Sequence, residues 1–583
     1  MSIHDRIRAE LLRGLEAFNL FEDDLPPLEI GPPRDKQHGD LSTNVALIAA
    51  RKLGRPPREV AGDLAASLNL PPDEVEAVEV AGPGFINFRL APGLKVRLLL
   101  DIWHDRGAMA EIRTGGGRRI NVEYISANPT GPLNVVSARA GAYGSALVKI
   151  LKAVGYDAHS EYYVNDAGRQ VRLLGASLRA RYLEMHGQPA ELPEGGYKGR
   201  YITLMAQELR GMDAEAIQAA AHVFDDESFQ RVTAPAGDAD AWLKLPEDES
   251  VQCFAKYALM KILTWQRQTC LRFGLKFDTW YFESELHETR RIDRTLERLR
   301  KGGFTYEKDG ATWFRSTDFG DEKDRVLVRS DGQPTYFLAD IAYHHHKFQR
   351  GFERAIDFLG PDHHGHVPRM RAAMQALGVP ADWLEVLILQ QVNFIENGRP
   401  MDMSKREGQF VTMDALCDDV GPDVAKFIFL TRKPSSHLDF DLDLARQQSS
   451  ENPVYYVQYA HARICSVERK ARAEGVDPGA PGEALAALRE PAAWFLAGEL
   501  IRLPRIIAGS AAHREPHRLT GYAVEVARAF HQFYKQCPIL GAEPPLREAR
   551  LQLCLVTRHV LRRLLDLLGI EAPEVMGERP DES

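Results

Sequence analysis

Asn121-Val122-Glu123-Tyr124-Ile125-Ser126-Ala127-Asn128-Pro129-Thr130-Gly131-Pro132-Leu133-Asn134-Val135-Val136-Ser137 is the stretch whose reading decides the fold. It opens as a short apolar strand and turns through a loop rich in Asn, Pro and Gly. A helical segment follows from about Ala138 to Val154, stopped by Gly155. A second strand-like run, His159 to Val164, leads into Asn165-Asp166-Ala167-Gly168. Strand, loop, helix and strand make one βαβ unit of a parallel sheet. The loop lies at the carboxyl end of the first strand, where open α/β sheets bind ligands. The helix behind it is expected to aim free backbone N–H groups and its positive dipole end at a phosphate.

A chain of 583 residues predicts several domains, and 44% hydrophobic content fits an ordinary soluble protein. The six cysteines are scattered with no Cys-x-x-Cys pair, which excludes a zinc ribbon or disulfide framework as the organising device and fits a reducing cytoplasm. Ile3, Ile7, Leu11, Leu15 and Phe18 keep helical spacing but are interrupted by charge, so the N-terminal segment reads as an amphipathic helix rather than a signal peptide. No apolar run is long enough to span a bilayer. A net charge of -9 argues against whole-surface binding of nucleic acid while leaving room for a local basic face.

Outward from the central stretch, residues 1 to about 110 read as a small α+β module. It has a helix from Val45 to Leu53 and an edge strand at Phe85-Ile86-Asn87-Phe88. Thr114 to Arg119 is a Gly-rich boundary. A polar, mostly helical insertion covers about 171–275. Strand signals return at Ala311–Phe314 and Arg325–Val328. They continue at Tyr336–Asp340 and Ile356–Gly360, the last pair reading as the second half of a doubly wound sheet. Val392 to Pro400 reads as a hairpin with Asn397-Gly398 as its turn. From about Asn452 to Gly569 the pattern is long amphipathic helices.

Three constellations can carry chemistry. Glu123 and Asn128 sit on the first strand and in its loop, where an acid can hold a cation; the plain alternative is a turn-stabilising Asn before Pro. Tyr336 and Asp340 would add a second carboxylate, making a pocket suited to a guanidinium, whose planar fork pairs with carboxylates. Alone they read more readily as a core tyrosine and a helix-capping aspartate. Met403-Ser404-Lys405-Arg406 suits a phosphate clamp or a solvated basic loop. His344-His345-His346 and Asp362-His363-His364-Gly365-His366 have no metal-site spacing, and no metal ligation is expected of them.

The ordered motifs resemble those of bacterial arginyl-tRNA synthetases, class I enzymes. Ser126 to Leu133 and Glu161 to Gly168 carry the likeness. It extends through Gly196 to Ile202, Phe319 to Leu327, Thr335-Tyr336 with Asp340 to His344, and Leu359 to Gly365. Met403-Ser404-Lys405-Arg406 resembles the second class I signature, and Asn452 to Arg463 the start of an anticodon-binding domain. The resemblance implies a multidomain α/β protein. Its parts would be an N-terminal additional domain (1–112) that touches the tRNA elbow and a Rossmann-like catalytic domain (118–395). A signature-loop and stem-contact region (396–450) and an all-α anticodon-binding domain (451–583) would follow.

It implies ATP-dependent activation of L-arginine, with magnesium, and transfer to arginine tRNA by a cytoplasmic monomer. By resemblance, Glu123, Asn128, Tyr336 and Asp340 bind arginine. Pro132, Asn134, Ser137, Gly360, Asp362, His363, Met403 and Lys405 bind ATP. Lys405, with Ser404 and Arg406, serves catalysis, and Tyr455, Gln458, Tyr459, His461, Arg463 and Met576 meet tRNA.

One departure is large. The first class I signature reads close to His-Val-Gly-His in the family, whereas Asn134-Val135-Val136-Ser137 stands here. Val136 puts a branched side chain where adenine would pack, and losing two imidazoles could cost several kcal/mol of transition-state binding. Ser126, Arg139, His363 and His364 are the candidate substitutes. The position of the other signature's usual first lysine holds Asp402. Two readings stay open: a working arginine–tRNA ligase with a variant ATP loop, and an inactive relative that binds tRNA or arginine.

Overall fold

The computed structural model describes residues 2–33, 35, 38–221, 229, 231–363, 365–401 and 412–577. The decisive stretch forms strand β1 (Arg119–Glu123), helix α1 (Val135–Ala153) and strand β2 (Asp157–Val164), with β1 and β2 parallel. Strands β3 (Thr279–Phe282), β4 (Arg354–Leu359) and β5 (Leu384–Ile388) complete a five-stranded parallel sheet in the order β5-β4-β1-β2-β3. The strand order therefore reverses between β1 and β4, and the crevice at their carboxyl ends is where such a sheet takes its ligand. Helix α1 lies close against the sheet because its inner face is small: Ala138, Gly141, Ala142 and Gly144 are all buried. A Cβ at Gly144 would collide with the Tyr124 ring.

Tyr336–Asp340 is not a strand. It opens helix α2 (Tyr336–Gln349). The buried positions Leu338, Ile341, Ala342 and His345 recur at steps of three and four, and that period outweighs the aromatic content that suggested a strand. The sheet's second half is instead β4 with β5. Ala311–Phe314 and Arg325–Val328 join Thr305–Lys308 in a separate antiparallel ribbon.

The N-terminal module is a four-stranded antiparallel sheet with helices including Ile3–Glu16, Val45–Leu53 and Pro57–Ser67. Its strand Phe85–Leu90 is interior, not an edge, since it pairs with Leu41–Thr43 on one side and Val75–Ala81 on the other. Asn397 and Gly398, at φ of 53° and 69°, close the hairpin between Val392–Glu396 and Arg399–Pro400. The insertion contains helices Arg169–Met185, Arg200–Arg210 and Glu247–Arg272. The C-terminal region is all helical, built around α3 (Pro453–Ala473), α4 (His517–Gln536) and α5 (Leu546–Leu568). Among the described residues no helix is long and apolar enough to cross a membrane.

Candidate active site

Parallel pairing sets three carboxylates side by side across the switch point. Asp357 on β4 is in register with Glu123 on β1, and Glu123 with Glu161 on β2. Paired residues of neighbouring parallel strands share one face of the sheet, so the acids form a single row. Helix α2 lays its cations over that row. Lys347, fully buried, bonds Glu123 and also Asp357 (2.9 Å). Arg350 pairs with Glu161 through two bonds, 2.6 and 2.8 Å. His344 Nε2 lies 2.7 Å from Asp357 Oδ2. The Tyr343 hydroxyl is 2.8 Å from Glu123 and 2.7 Å from Glu161, and its single proton serves one of them at a time.

Burial opposes charge on Asp357, Glu161, Lys347, Arg350 and His344, but the pairing prevails. Lys347 and His344 hold Asp357 well below the usual carboxylate range, and the carboxylates hold Lys347 above the usual lysine range. Removing one partner of such a buried pair costs about 3–5 kcal/mol.

Asp340, one turn before His344 on α2, is the carboxylate left over. Its neighbour within ion-pair range is His366, at 3.5 Å. Burial lowers His366 to about 4, so that ring is neutral near pH 7. Burial, reinforced by Glu123, Glu283 and Asp357 and opposed by His344, pushes Asp340 up to about 7. His344, whose ring is held by Asp357, is thus the cation nearest to it among these groups, and the Asp340 side chain stays partly open to the crevice. Tyr336, at the start of the same helix, is 58% exposed beside it.

The loop after β1 is strained and held. Ile125 (φ 70°) and Ser126 (φ 41°) lie in the left-handed region, rare for any side chain and more so for a β-branched one. Ser126 Oγ donates to Glu123 Oε1 (2.8 Å) and accepts from the Tyr163 N–H (3.0 Å), which fixes the turn. Beyond it the insertion takes hold. Gln266, buried in helix Glu247–Arg272, donates to the carbonyls of Asn128 (3.1 Å) and Gly131 (2.8 Å), and Tyr201 donates to that of Thr130 (2.5 Å). The Asn128 side chain is left exposed at the crevice. Two turns of the same insertion helix also donate to Asp414, from Trp265 (2.9 Å) and Thr269 (2.7 Å).

Asn134 caps α1. Its Oδ1 accepts from the N–H groups of Val136 (3.0 Å) and Ser137 (3.1 Å). The helix terminus is therefore not the open phosphate cradle that the sequence suggested, because an Asn at the cap position satisfies two of its free donors. Val136 is 43% exposed on the first turn, and Ser137 is buried. The Asn134 backbone bridges to Thr412, and the Met413 N–H donates to the Leu133 carbonyl (2.8 Å). Thr412 and Met413, the first described residues after the second signature in sequence, are thus joined to the first signature. Met403, Ser404, Lys405 and Arg406 themselves lie outside the described residues, as does His364.

Of the proposed stand-ins for the missing histidines, Arg139 is buried and spends its guanidinium on the carbonyls of Gln390, Lys433 and Ser436, while Ser126 is committed to Glu123. Gly360, Asp362 and His363 follow β4 across the crevice from Pro132, with Asp362 and His363 exposed. Among the described residues no three His, Cys, Asp or Glu side chains gather to hold a metal.

In the helical domain the Tyr455 and Tyr459 rings are parallel, 6.4 Å apart, and Arg463 lies 4.8 Å from the Tyr459 and Tyr534 rings. Gln458 and His461 point inward: Gln458 donates to the Glu571 carbonyl (2.9 Å), and His461, 2% exposed, meets that of Pro573 (2.9 Å). They hold the segment that carries half-buried Met576. Helix α1 is tied to this domain at its far end. Lys149 donates to the Asp566 carbonyl (3.0 Å) at the end of α5, and Lys426 to that of Gly569 (2.7 Å).

A parallel sheet with a switch point, the loop after its first strand joined to Thr412 and Met413, and an all-α C-terminal domain are the arrangement of a class I aminoacyl-tRNA synthetase. Residues 102–428 match the family model described as tRNA synthetases class I (R), catalytic domain. Residues 2–90 match the arginyl tRNA synthetase N terminal domain, and 457–576 the DALR anticodon binding domain. Arginine–tRNA ligase of Moorella thermoacetica is 44% identical over 95% of each chain, and that of Heliobacterium modesticaldum 43% over 99% of each. The solved Thermus thermophilus arginyl-tRNA synthetase shares the fold, with a TM-score of 0.70 at 22% identity, covering 99% of this chain and 100% of that one. The chain belongs to the arginyl-tRNA synthetase family.

Sequence reasoning missed Glu161, Tyr343, Lys347, Asp357 and Gln266. Asp340, His344 and Lys347 are spaced i, i+4, i+7, a polar stripe that a helical reading of that run exposes.

Proposed function

We propose that this chain carries out its family's reaction, arginine–tRNA ligation, with arginine seated over the carboxylate row and ATP over the joined signature segments. The guanidinium faces Asp340, Glu123 and Tyr336, and Asn128 meets the amino-acid end. ATP lies between Pro132 to Ser137 and Gly360 to His363, and magnesium enters on its phosphates as part of the substrate. An arginine carboxylate oxygen attacks the α-phosphorus and pyrophosphate leaves. A hydroxyl of the tRNA's terminal ribose then attacks the activated carbonyl, and AMP leaves. No side chain becomes a nucleophile, so the protein contributes position and charge stabilisation, the latter chiefly from Lys405 with Ser404 and Arg406 shaping its loop. Tyr455, Tyr459, Arg463 and Met576 meet the RNA directly, Gln458 and His461 through the segment they hold. The protein works as a cytoplasmic monomer.

The observation that carries this reading is the pairing of Leu133 and Asn134 with Thr412 and Met413, together with Asp340 on the helix that lies over the carboxylate row. Pyrophosphate exchange with arginine, ATP and tRNA, together with charging of arginine tRNA, tests it. Exchange at background with high enzyme would overturn it in favour of an inactive relative.

A further inference from the structure

The row of acids poses a problem of selectivity. Three adjacent carboxylates without counter-ions would trap any cation that entered the crevice, ammonium or guanidinium. Lys347 and Arg350 remove that trap from inside the protein. Glu161 is spent on Arg350. Glu123 Oε2 is occupied by Lys347 and lies within reach of Tyr343, and Oε1 already accepts from Ser126. An oxygen with two lone pairs and one bond accepts once more, so Glu123 offers one directional site rather than an open charge. An ammonium is compact and strongly hydrated and needs a strong field to shed its water. A guanidinium is weakly hydrated and binds through a planar fork.

We propose that Lys347 is the positioning residue that sets amino-acid specificity: by occupying Glu123 it leaves Asp340, bordered by His366, as the carboxylate open to substrate, so the pocket accepts the guanidinium fork and rejects side chains that end in an ammonium. This rests on the seating of arginine proposed above. Lys347 touches no substrate and acts through Glu123. Specificity here is a difference of two affinities, and Lys347 supplies the element that disfavours the wrong one.

The test uses the full chain with tRNA in pyrophosphate exchange, comparing KM for arginine with Ki for lysine and for ornithine. In Lys347→Met the ratio of Ki to KM falls at least ~10-fold, because Glu123 is freed and an ammonium can take the vacated place. Lys347→Met combined with Asp357→Asn removes one charge of each sign, keeps the buried balance and shows the same fall; it is the variant read if the single one does not fold. Lys347→Arg keeps the charge and retains most of the discrimination. An unchanged ratio in the double variant, with arginine turnover simply lowered, makes Lys347 structural only and overturns the proposal, as does failure of both Met variants to fold while Lys347→Arg loses discrimination. The seating of arginine fails separately: Asp340→Asn would then leave KM for arginine as in the parent, whatever Lys347 does.

Discussion

With arginine seated against Asp340 as proposed, its binding is expected to depend on pH below neutrality. In the free protein its carboxyl is pushed up to about 7, by burial first and then by Glu123, Glu283 and Asp357. Arginine brings a cation that stays charged at every pH of interest, and its guanidinium pairs with the ionised carboxylate. The complex therefore holds one proton fewer than the free protein. Affinity must rise with pH below the carboxyl's own value and level off above it, with a slope that approaches tenfold per pH unit. Set at 7, the bend makes arginine bind about 30-fold more weakly at pH 5.5 than at 8. The side chain is 36% exposed, so water moves the bend to lower pH without changing the sign. Calorimetry at pH 5.5, 6.5, 7.5 and 8 in buffers of different ionisation enthalpy measures both quantities, affinity and protons released. The expected result is release of a proton at pH 5.5 that vanishes by pH 8. In Asp340→Asn the release is absent at every pH and binding is weak throughout. Flat affinity from pH 5.5 to 8, or proton uptake, would refute the reasoning.

Other outcomes follow from named contacts. Gln266→Leu removes the donors to the Asn128 and Gly131 carbonyls, a loss of about 2 kcal/mol that lowers kcat/KM for arginine ~30-fold; unchanged arginine kinetics would show that the loop holds itself. Asn134→Ala strips the α1 cap at about 1 kcal/mol, so amide exchange at Val136 and Ser137 quickens roughly fivefold while Asn134→Asp stays near the parent rate. Lys405→Ala cuts the activation rate far more than arginine binding, measured by single-turnover exchange against calorimetry, and an equal loss in both would mean its role is misassigned.

The βαβ unit, the hairpin at Asn397-Gly398 and the helical C-terminal domain were legible because each rests on local signals: strand and helix periods, an Asn-Gly turn and amphipathic spacing. The resemblance singled out Glu123, Asn128, Tyr336 and Asp340 as an arginine pocket, but the sequence did not show how the fold sets them. Tyr336–Asp340 is rich in aromatic and apolar residues and reads as a strand over five positions; only the longer run to Gln349 shows the helical period. With that run taken as a strand, Lys347 and Arg350 had no face to share with Asp340. The alignment of Asp357, Glu123 and Glu161 depends on register between strands more than 30 residues apart in sequence, which no local pattern encodes. Nor could sequence say that Asn134 would turn inward to its own helix.

Helix α1 has a mechanical consequence. It is anchored by Lys149 to the end of the last helix of the C-terminal domain, while Asn134 at its other end shapes the loop after β1. Those two residues are about 22 Å apart along a rigid rod. A tilt of about 3° at the anchor swings the loop by ~1 Å, a displacement that can change a rate about a hundredfold. With ATP seated as proposed, a shift of the Asp566 carbonyl at the anchor reaches the reacting phosphate through a lever, at a loop that carbonyl never touches.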